Sequence, residues 1–261
     1  MRVFVVVIVI FFLFLYSFLI EPNLLTVKEY NIEYPLLKGL KVVFVGDFHI
    51  KPSQVKRLDK IISKINKQQP DLVLLAGDFV AGHEDDSTLP IEQIASALGT
   101  IKVQHGIYSV LGNHDVWLDP ELVTKELEKN GIKVLNNSNF EVKYNHTSLY
   151  IAGVEDLTTS QPDIIKALKK TNPPIILLSH SPDIFPSVPN DIFLTLAGHT
   201  HGGQVRFPFI GSLIVPSDYG NEFSYGLIEK NGKKMIVTKG IGTSILPIRF
   251  CCLPEIVVIN F

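Results

Sequence analysis

The chain has 261 residues, 46% of them apolar and 19% charged, with 24 basic and 26 acidic side chains. That length suits one large domain, and the composition excludes disorder, a collagen-like repeat and a strongly basic nucleic-acid binder. The only cysteines are the adjacent Cys251 and Cys252, which excludes a disulfide scaffold and a zinc ribbon, because neighbours in sequence rarely meet bridge geometry.

The apolar excess is concentrated at the start. Arg2 is the only charged side chain before Glu21. As a helix, residues 3–20 would reach about 27 Å, against a hydrocarbon core of roughly 30 Å. Tyr16-Ser17-Phe18-Leu19-Ile20-Glu21-Pro22 offers no small-residue cleavage pattern, so residues 1–20 are expected to be an uncleaved, single-pass signal-anchor. With Arg2 before the span and Glu21, Lys28 and Glu29 after it, the positive-inside rule predicts an extracytoplasmic domain, the cytoplasmic side staying open.

Residues 21–38 read as a membrane-proximal segment with an edge strand, and 39–261 as the folded domain. A β-branched run predicts a strand over 41–46. Ser53 is expected to cap a helix whose apolar face is Val55, Leu58, Ile61, Ile62 and Ile65. Strands follow at 72–76 and 107–111, with a helix at 90–98 between them. Asp119 and Pro120 open a helix that runs to Lys129 and closes at Gly131. Further strands are expected at 133–135, 149–154, 175–179 and 193–197, with a helix at 163–170. The C-terminal part adds strands at 224–229, 234–238 and 255–259 with no helix between them. The pattern is α/β, becoming richer in β toward the end.

Five histidines sit where predicted strands end. The segments are Gly46-Asp47-Phe48-His49, Gly77-Asp78, Gly112-Asn113-His114-Asp115, Ser179-His180 and Gly198-His199-Thr200-His201. Open α/β sheets bind ligands at that edge, where loops leave the strands. In Asp47-x-His49 and His199-x-His201 the two-residue spacing points both side chains the same way along extended chain. One such fragment would more often be a satisfied polar residue than a ligand. Five at successive strand ends are a different matter, because burying so many carboxylates and imidazoles together is costly unless a cation neutralises them. Oxygen and nitrogen donors without thiolate suit divalent manganese, iron or zinc.

In this order the D-x-H, G-D, G-N-H-D, H and G-H-x-H segments resemble the calcineurin-like metallophosphoesterase family. Gly198-His199-Thr200-His201-Gly202-Gly203-Gln204, with the N-terminal anchor, is similar to that family's membrane-anchored bacterial phosphodiesterases. The resemblance implies a four-layer α/β/β/α sandwich behind a transmembrane helix, with two divalent cations, manganese first and iron or zinc as alternatives. It implies that Asp47, His49 and His201 hold one cation, that Asn113, His180 and His199 hold the other, and that Asp78 bridges them. His114 would be the general acid, with Asp115 available to orient it. Two cations ~3.5–4 Å apart can share a hydroxide that attacks a phosphate ester.

The expected activity is therefore phosphodiester or pyrophosphate hydrolysis on a membrane- or lipid-associated substrate. UDP-2,3-diacylglucosamine hydrolysis in lipid A synthesis is one alternative, and a non-catalytic membrane-tethered scaffold is an alternative of another class. A nuclease is disfavoured by the acidic balance. The oligomeric state is left open. The apolar loop from Arg206 to Pro216, carrying Phe207 and Phe209, reads either as a strand and turn on the core or as a lip touching the bilayer and the substrate. Arg249 reads as a phosphate partner or a structural ion pair, and His83 as a substrate contact or, more simply, a surface residue. Lys56, Lys60, Lys64 and Lys67 recur along one helix face and read as its solvated side.

Overall fold

A computed structural model describes residues 2–82 and 87–261; His83 lies outside the described residues. Among the described residues, fourteen strands run in chain order: β1 (Thr26–Asn31), β2 (Lys41–Val45), β3 (Leu72–Leu75), β4 (Ile107–Ser109), β5 (Ile132–Val134), β6 (Ser138–Tyr144) and β7 (Thr147–Gly153), then β8 (Ile175–Leu178), β9 (Leu194–Ala197), β10 (Arg206–Phe207), β11 (Gly211–Ser212), β12 (Gly226–Lys230), β13 (Lys233–Val237) and β14 (Glu255–Asn260). The α-helices are α1 (Arg2–Leu15), α2 (Val55–Lys67), α3 (Ile91–Leu98), α4 (Asn113–Leu118), α5 (Pro120–Lys129) and α6 (Ile164–Ala167).

Two six-stranded mixed sheets face each other, ordered β1-β14-β2-β3-β4-β5 and β12-β13-β9-β8-β7-β6, with β10 and β11 forming a separate small hairpin. The central strands read as unbroken apolar runs because both faces are covered. Their period-2 alternation sorts side chains between two cores. Val43, Val45, Val73 and Leu75 pack on α2, α3 and α5, while Val42, Phe44, Leu72 and Leu74 turn toward the second sheet. The far side of that sheet is covered by α6 and the 3-10 segment Pro182–Ser187, through Ala167, Ile184 and Phe185. The result is the α/β/β/α sandwich.

Within residues 21–38, β1 pairs in parallel with β14 at the edge of the first sheet. Asp119 caps α5 by accepting the backbone N–H groups of Glu121 and Leu122, each at 3.0 Å. At the start of α2 the cap differs from expectation. Pro52–Gln54 forms a 3-10 turn, and the Gln54 side chain accepts the Lys51 N–H at 3.1 Å, so Ser53 does not cap. Proline's preset φ favours that tight turn. The strand β6 has no counterpart in the sequence reading, because only Val142 of its seven residues is buried. At the N-terminus, α1 continues through a π-helical turn (Tyr16–Ile20) into a 3-10 turn (Glu21–Asn23). Residues Phe4–Asn23 are long and apolar enough to cross a membrane, with mean hydropathy 2.8.

Candidate metal centre

Each of the five segments leaves the carboxyl end of a parallel strand: Asp47 and His49 follow β2, Asp78 follows β3, Asn113 and His114 follow β4, His180 follows β8, and His199 and His201 follow β9. The two sheets thus deliver their loops to one edge. Asp78 lies at the middle. One of its oxygens, Oδ2, is 3.3 Å from His49 Nε2 and 3.4 Å from His180 Nε2, while Oδ1 accepts the His114 backbone N–H at 2.9 Å. On one side, His49 Nε2 and His201 Nε2 stand 3.0 Å apart, and a ligand atom of Asp47 lies within 4.8 Å of both. On the other, His180 Nε2 is 3.1 Å from Asn113 Oδ1 and 3.1 Å from His199 Nδ1.

These residues fit a pair of divalent cations. Among the described residues, Asp47 Oδ2 is buried without a hydrogen-bond partner, which is expensive in a core and natural beside a cation. The Ala76 carbonyl accepts from His180 Nδ1 at 2.7 Å, which turns Nε2 toward the cluster, as metal-binding imidazoles are usually held by a hydrogen bond from the other ring nitrogen. The backbone is strained for the purpose. Asp47, His49, Asp78, His199 and His201 all have positive φ, between 44° and 70°, a region that non-glycine residues seldom occupy outside functional sites. Two glycines make room. A Cβ on Gly112 would come within 2.6 Å of His180 Cε1 and also strike Asp78 Oδ1. One on Gly240 would lie 2.6 Å from Asp47 Oδ2.

The electrostatics follow from burial. Burial pushes the Asp47 carboxyl up to about 7, with His180 opposing the shift and Asp78 adding to it. Burial would also raise Asp78, but His180, His49 and His114 outweigh it and hold that carboxyl well below the usual range. His180 is the counterpart: burial opposes its charge, yet Asp78 carries it up to about 10. Burial lowers His49 to about 3, and burial with His49 lowers His201 well below the ordinary imidazole value. Both are therefore neutral, as ligands must be.

His114 stands at the rim. Its ring centroid is 4.5 Å from that of His49, and a ligand atom of its ring lies within 4.8 Å of ligand atoms of both His49 and Asp78. Beside it, 4.9 Å between centroids, is the indole of Trp117, a half-exposed neighbour that the sequence reading passed over. Asp115 is fully buried. Its two oxygens accept the N–H groups of Asp78, Phe79, Val80 and Gly112, so the carboxylate ties the loop after β3 to the loop after β4.

Arg249 lies in the core rather than at a surface. It is fully buried, its guanidinium donates to the carbonyls of Lys239, Gly240, Gly242 and Cys252, and among the described residues it has no carboxylate ion-pair partner. Replacing Arg249 by methionine is expected to lower unfolding free energy by about 3 kcal/mol or more, because it leaves several buried carbonyls unpaired. Urea unfolding checks this. A variant as stable as the wild type, weakened only in substrate affinity, would restore the substrate contact. Phe207 and Phe209 stand on the β10–β11 hairpin with their rings exposed, outside the cluster.

A sequence model of the calcineurin-like phosphoesterase family matches residues 40–203. The chain belongs to this family. The calcineurin-like chain is 29% identical over 253 residues to YkuE of Bacillus subtilis, named an uncharacterized metallophosphoesterase, covering 93% of this chain and 87% of that one. It is 30% identical over 229 residues to the phosphodiesterase YaeI of Escherichia coli, covering 84% and 81%. A Danio rerio transmembrane protein with a metallophosphoesterase domain is 32% identical over 253 residues, and the match covers 88% of this chain and 56% of that longer relative. Among solved structures, the sulfate thiohydrolase SoxB of Thermus thermophilus superposes with a TM-score of 0.50 at 12% identity, over 80% of this chain and 53% of that one, a likeness of fold. With this family and these relatives, the protein is a metal-dependent phosphoester hydrolase, and the clustered side chains suit the two divalent metals its family binds.

Proposed function

We propose that the protein is a membrane-anchored phosphodiesterase acting on a membrane- or lipid-associated phosphate ester. The position of Asp78 carries this reading: one carboxylate oxygen within 3.4 Å of a histidine from each of two ligand groups. Asp47, His49 and His201 would hold one cation, Asn113, His180 and His199 the second, and Asp78 both. When bound, such a pair would supply an acidified water and neutralise the phosphate oxygens. His114, at the rim and outside both groups, holds a proton for the leaving oxygen. The Trp117 indole shields one side of His114 from water. Residues 4–23, long and apolar enough to cross a membrane, and a homologue named as a transmembrane protein support membrane anchoring.

A screen of the detergent-solubilised protein with Mn²⁺ tests the reading. A generic diester, a UDP-acylglucosamine and a nucleotide monoester should separate a diesterase from a lipid A pyrophosphohydrolase. Hydrolysis of the diester is expected and should vanish with a chelator and return with Mn²⁺. No hydrolysis of any of the three, with no two-cation binding, would favour a tethered scaffold instead.

Cation binding should also release protons. Asp47 and His180 retain protons near neutral pH, for the reasons given above, whereas His49 and His201 are already neutral. Cation and proton compete, so Mn²⁺ affinity is expected to rise from about pH 6 to about pH 8. Calorimetry in buffers of different ionisation heat measures the protons released. Binding that released none, with an affinity flat across that window, would contradict the assignment.

A further inference from the structure

A set of bulky apolar side chains is exposed to solvent beside the metal centre. Phe209, Ile210, Leu213 and Ile214 are 109%, 69%, 72% and 82% exposed on and after the β10–β11 hairpin. Ile245 and Leu246, on a second loop, are 98% and 56% exposed. Contiguous exposed apolar side chains mark a surface built to meet something other than water. The backbone sharpens the point. Phe209 and Ile245 have φ of 69° and 60°, a left-handed conformation that glycine or asparagine adopts at less cost and a β-branched residue especially avoids. The chain holds large apolar groups at these tips against its own conformational preference.

The two loops are joined to each other and to the N-terminal helix. The Gln204 side chain donates to the Ser244 carbonyl at 2.9 Å and accepts the Ser244 N–H at 2.8 Å. The Gln204 carbonyl accepts from Phe250 N–H, and Arg206 N–H donates back to the Phe250 carbonyl, both at 2.9 Å. One residue before Phe250, Arg249 N–H donates to the Ser17 carbonyl at 3.0 Å. The buried Glu21 carboxylate then accepts the N–H groups of Cys251 and Cys252. The last turns of the apolar helix, the 244–252 strap and the hairpin are thus one hydrogen-bonded unit. Gln204 lies three residues beyond His201, so this unit also carries one side of the metal centre.

We infer that the hairpin and the 245–246 loop form a second bilayer contact, inserting apolar side chains into the headgroup and upper acyl region beside the point where the helix leaves the membrane. The inference rests on the reading of residues 1–20 as an anchor, and it deepens that reading. The helix end is tied to the domain at Ser17 and Glu21, and a contact through this face would set the tilt of the domain about that junction. Fixing it by this face brings the His199–His201 side of the centre to the bilayer surface. Esters whose phosphate lies at headgroup depth then reach the cations without leaving the lipid. The occupant is the bilayer, because the patch is continuous with a helix whose own side chains, such as Phe4 and Phe12, are exposed and apolar.

The test uses the full chain in vesicles of phosphatidylcholine and phosphatidylglycerol brominated on the acyl chain. A tryptophan is placed by Ile214→Trp, by Ile245→Trp, or by Ile165→Trp as a control on α6, where Ile165 is 88% exposed. Wild type, with Trp117 as its one tryptophan, sets the baseline. Added indoles at 214 and 245 should lose about half of their fluorescence or more, and the one at 165 essentially none. Equal quenching at all three positions would overturn the inference. So would no quenching at 214 and 245, with or without self-association of the protein through that face. Wild-type hydrolysis of the water-soluble bis(p-nitrophenyl) phosphate in the same vesicles is scored separately. Hydrolysis without quenching rejects the docking face alone, whereas quenching without hydrolysis rejects the phosphodiesterase reading alone.

Discussion

Asp78→Asn is expected to reduce hydrolysis of bis(p-nitrophenyl) phosphate by about 10³-fold or more and to abolish binding of the second equivalent of Mn²⁺. An amide keeps the size of the side chain but gives up its charge and one acceptor oxygen. The oxygen within 3.4 Å of both His49 and His180 is then either uncharged or replaced by an NH₂ group that faces imidazole lone pairs. His180 also loses the partner that carries its pKa up to about 10, so the apo-cluster should bind fewer protons as well as fewer cations. Cation stabilisation of a phosphoryl transition state supplies several kcal/mol. At about 1.4 kcal/mol per tenfold, losing about 4 kcal/mol gives the stated factor. Metal content by elemental analysis and a near-ultraviolet circular dichroism spectrum distinguish loss of the site from loss of the fold. A folded Asp78→Asn protein that kept two cations and a tenth of the activity would remove Asp78 from the bridging position.

His114→Ala should separate chemistry from metal binding. The ring touches the centre from the rim, and its backbone N–H, which the alanine variant keeps, is the group that bonds Asp78 Oδ1. Both cations are therefore expected to remain. A proton donor in the transition state typically contributes about 10²–10⁴-fold, and its value grows with the basicity of the leaving group. Loss within that range is expected for an alkyl phosphodiester. For a p-nitrophenyl ester, whose leaving group departs without a proton, the loss should be about tenfold or less. Equal losses on both substrates would point to positioning. Loss of a cation would make His114 a ligand, an arrangement its proximity to His49 and Asp78 permits geometrically.

Much of the candidate site is legible along the chain because its signal is local. A parallel strand buried on both faces must be an apolar run, and the first polar residues after it mark the sheet edge where ligands bind. Hence Asp47, His49, Asp78, Asn113, His114, His180, His199 and His201 can be picked out with no knowledge of which strands are neighbours. The N-terminal helix is legible for a similar reason: an uncharged run near the length of a hydrocarbon core needs no tertiary partner to be recognised.

What was not legible depends on distance in sequence. Gly240 clears space for Asp47 from nearly two hundred residues away, and no local pattern announces a missing Cβ at that contact. The left-handed backbone at Asp47, His49, Asp78, His199 and His201 is likewise imposed by the converging loops, since each residue alone prefers another conformation. Charge misled at Arg249. An arginine in a loop is ordinarily solvated, and only the folding of 239–252 around it provides the carbonyls that satisfy its donors in the core. For Asp115 the family resemblance implies a role beside His114, and only the fold reveals that the start of α4 turns its carboxylate toward four backbone N–H groups.

The oily composition shows the same division. Periodicity and length were enough to assign most apolar residues to strands, to amphipathic helices or to the N-terminal run. They could not say whether the loop from Arg206 to Pro216 lay on the core or stood out from it, since an apolar loop fits either. The fold resolves that question. With β10 and β11 only two residues each and tied through Gln204 and Phe250, the hairpin has backbone support and buries Ser212, while Phe209, Ile210, Leu213 and Ile214 stay exposed. Hydrophobicity is written residue by residue along the chain. Exposure is a property of the neighbours, and the neighbours exist only once the chain has folded.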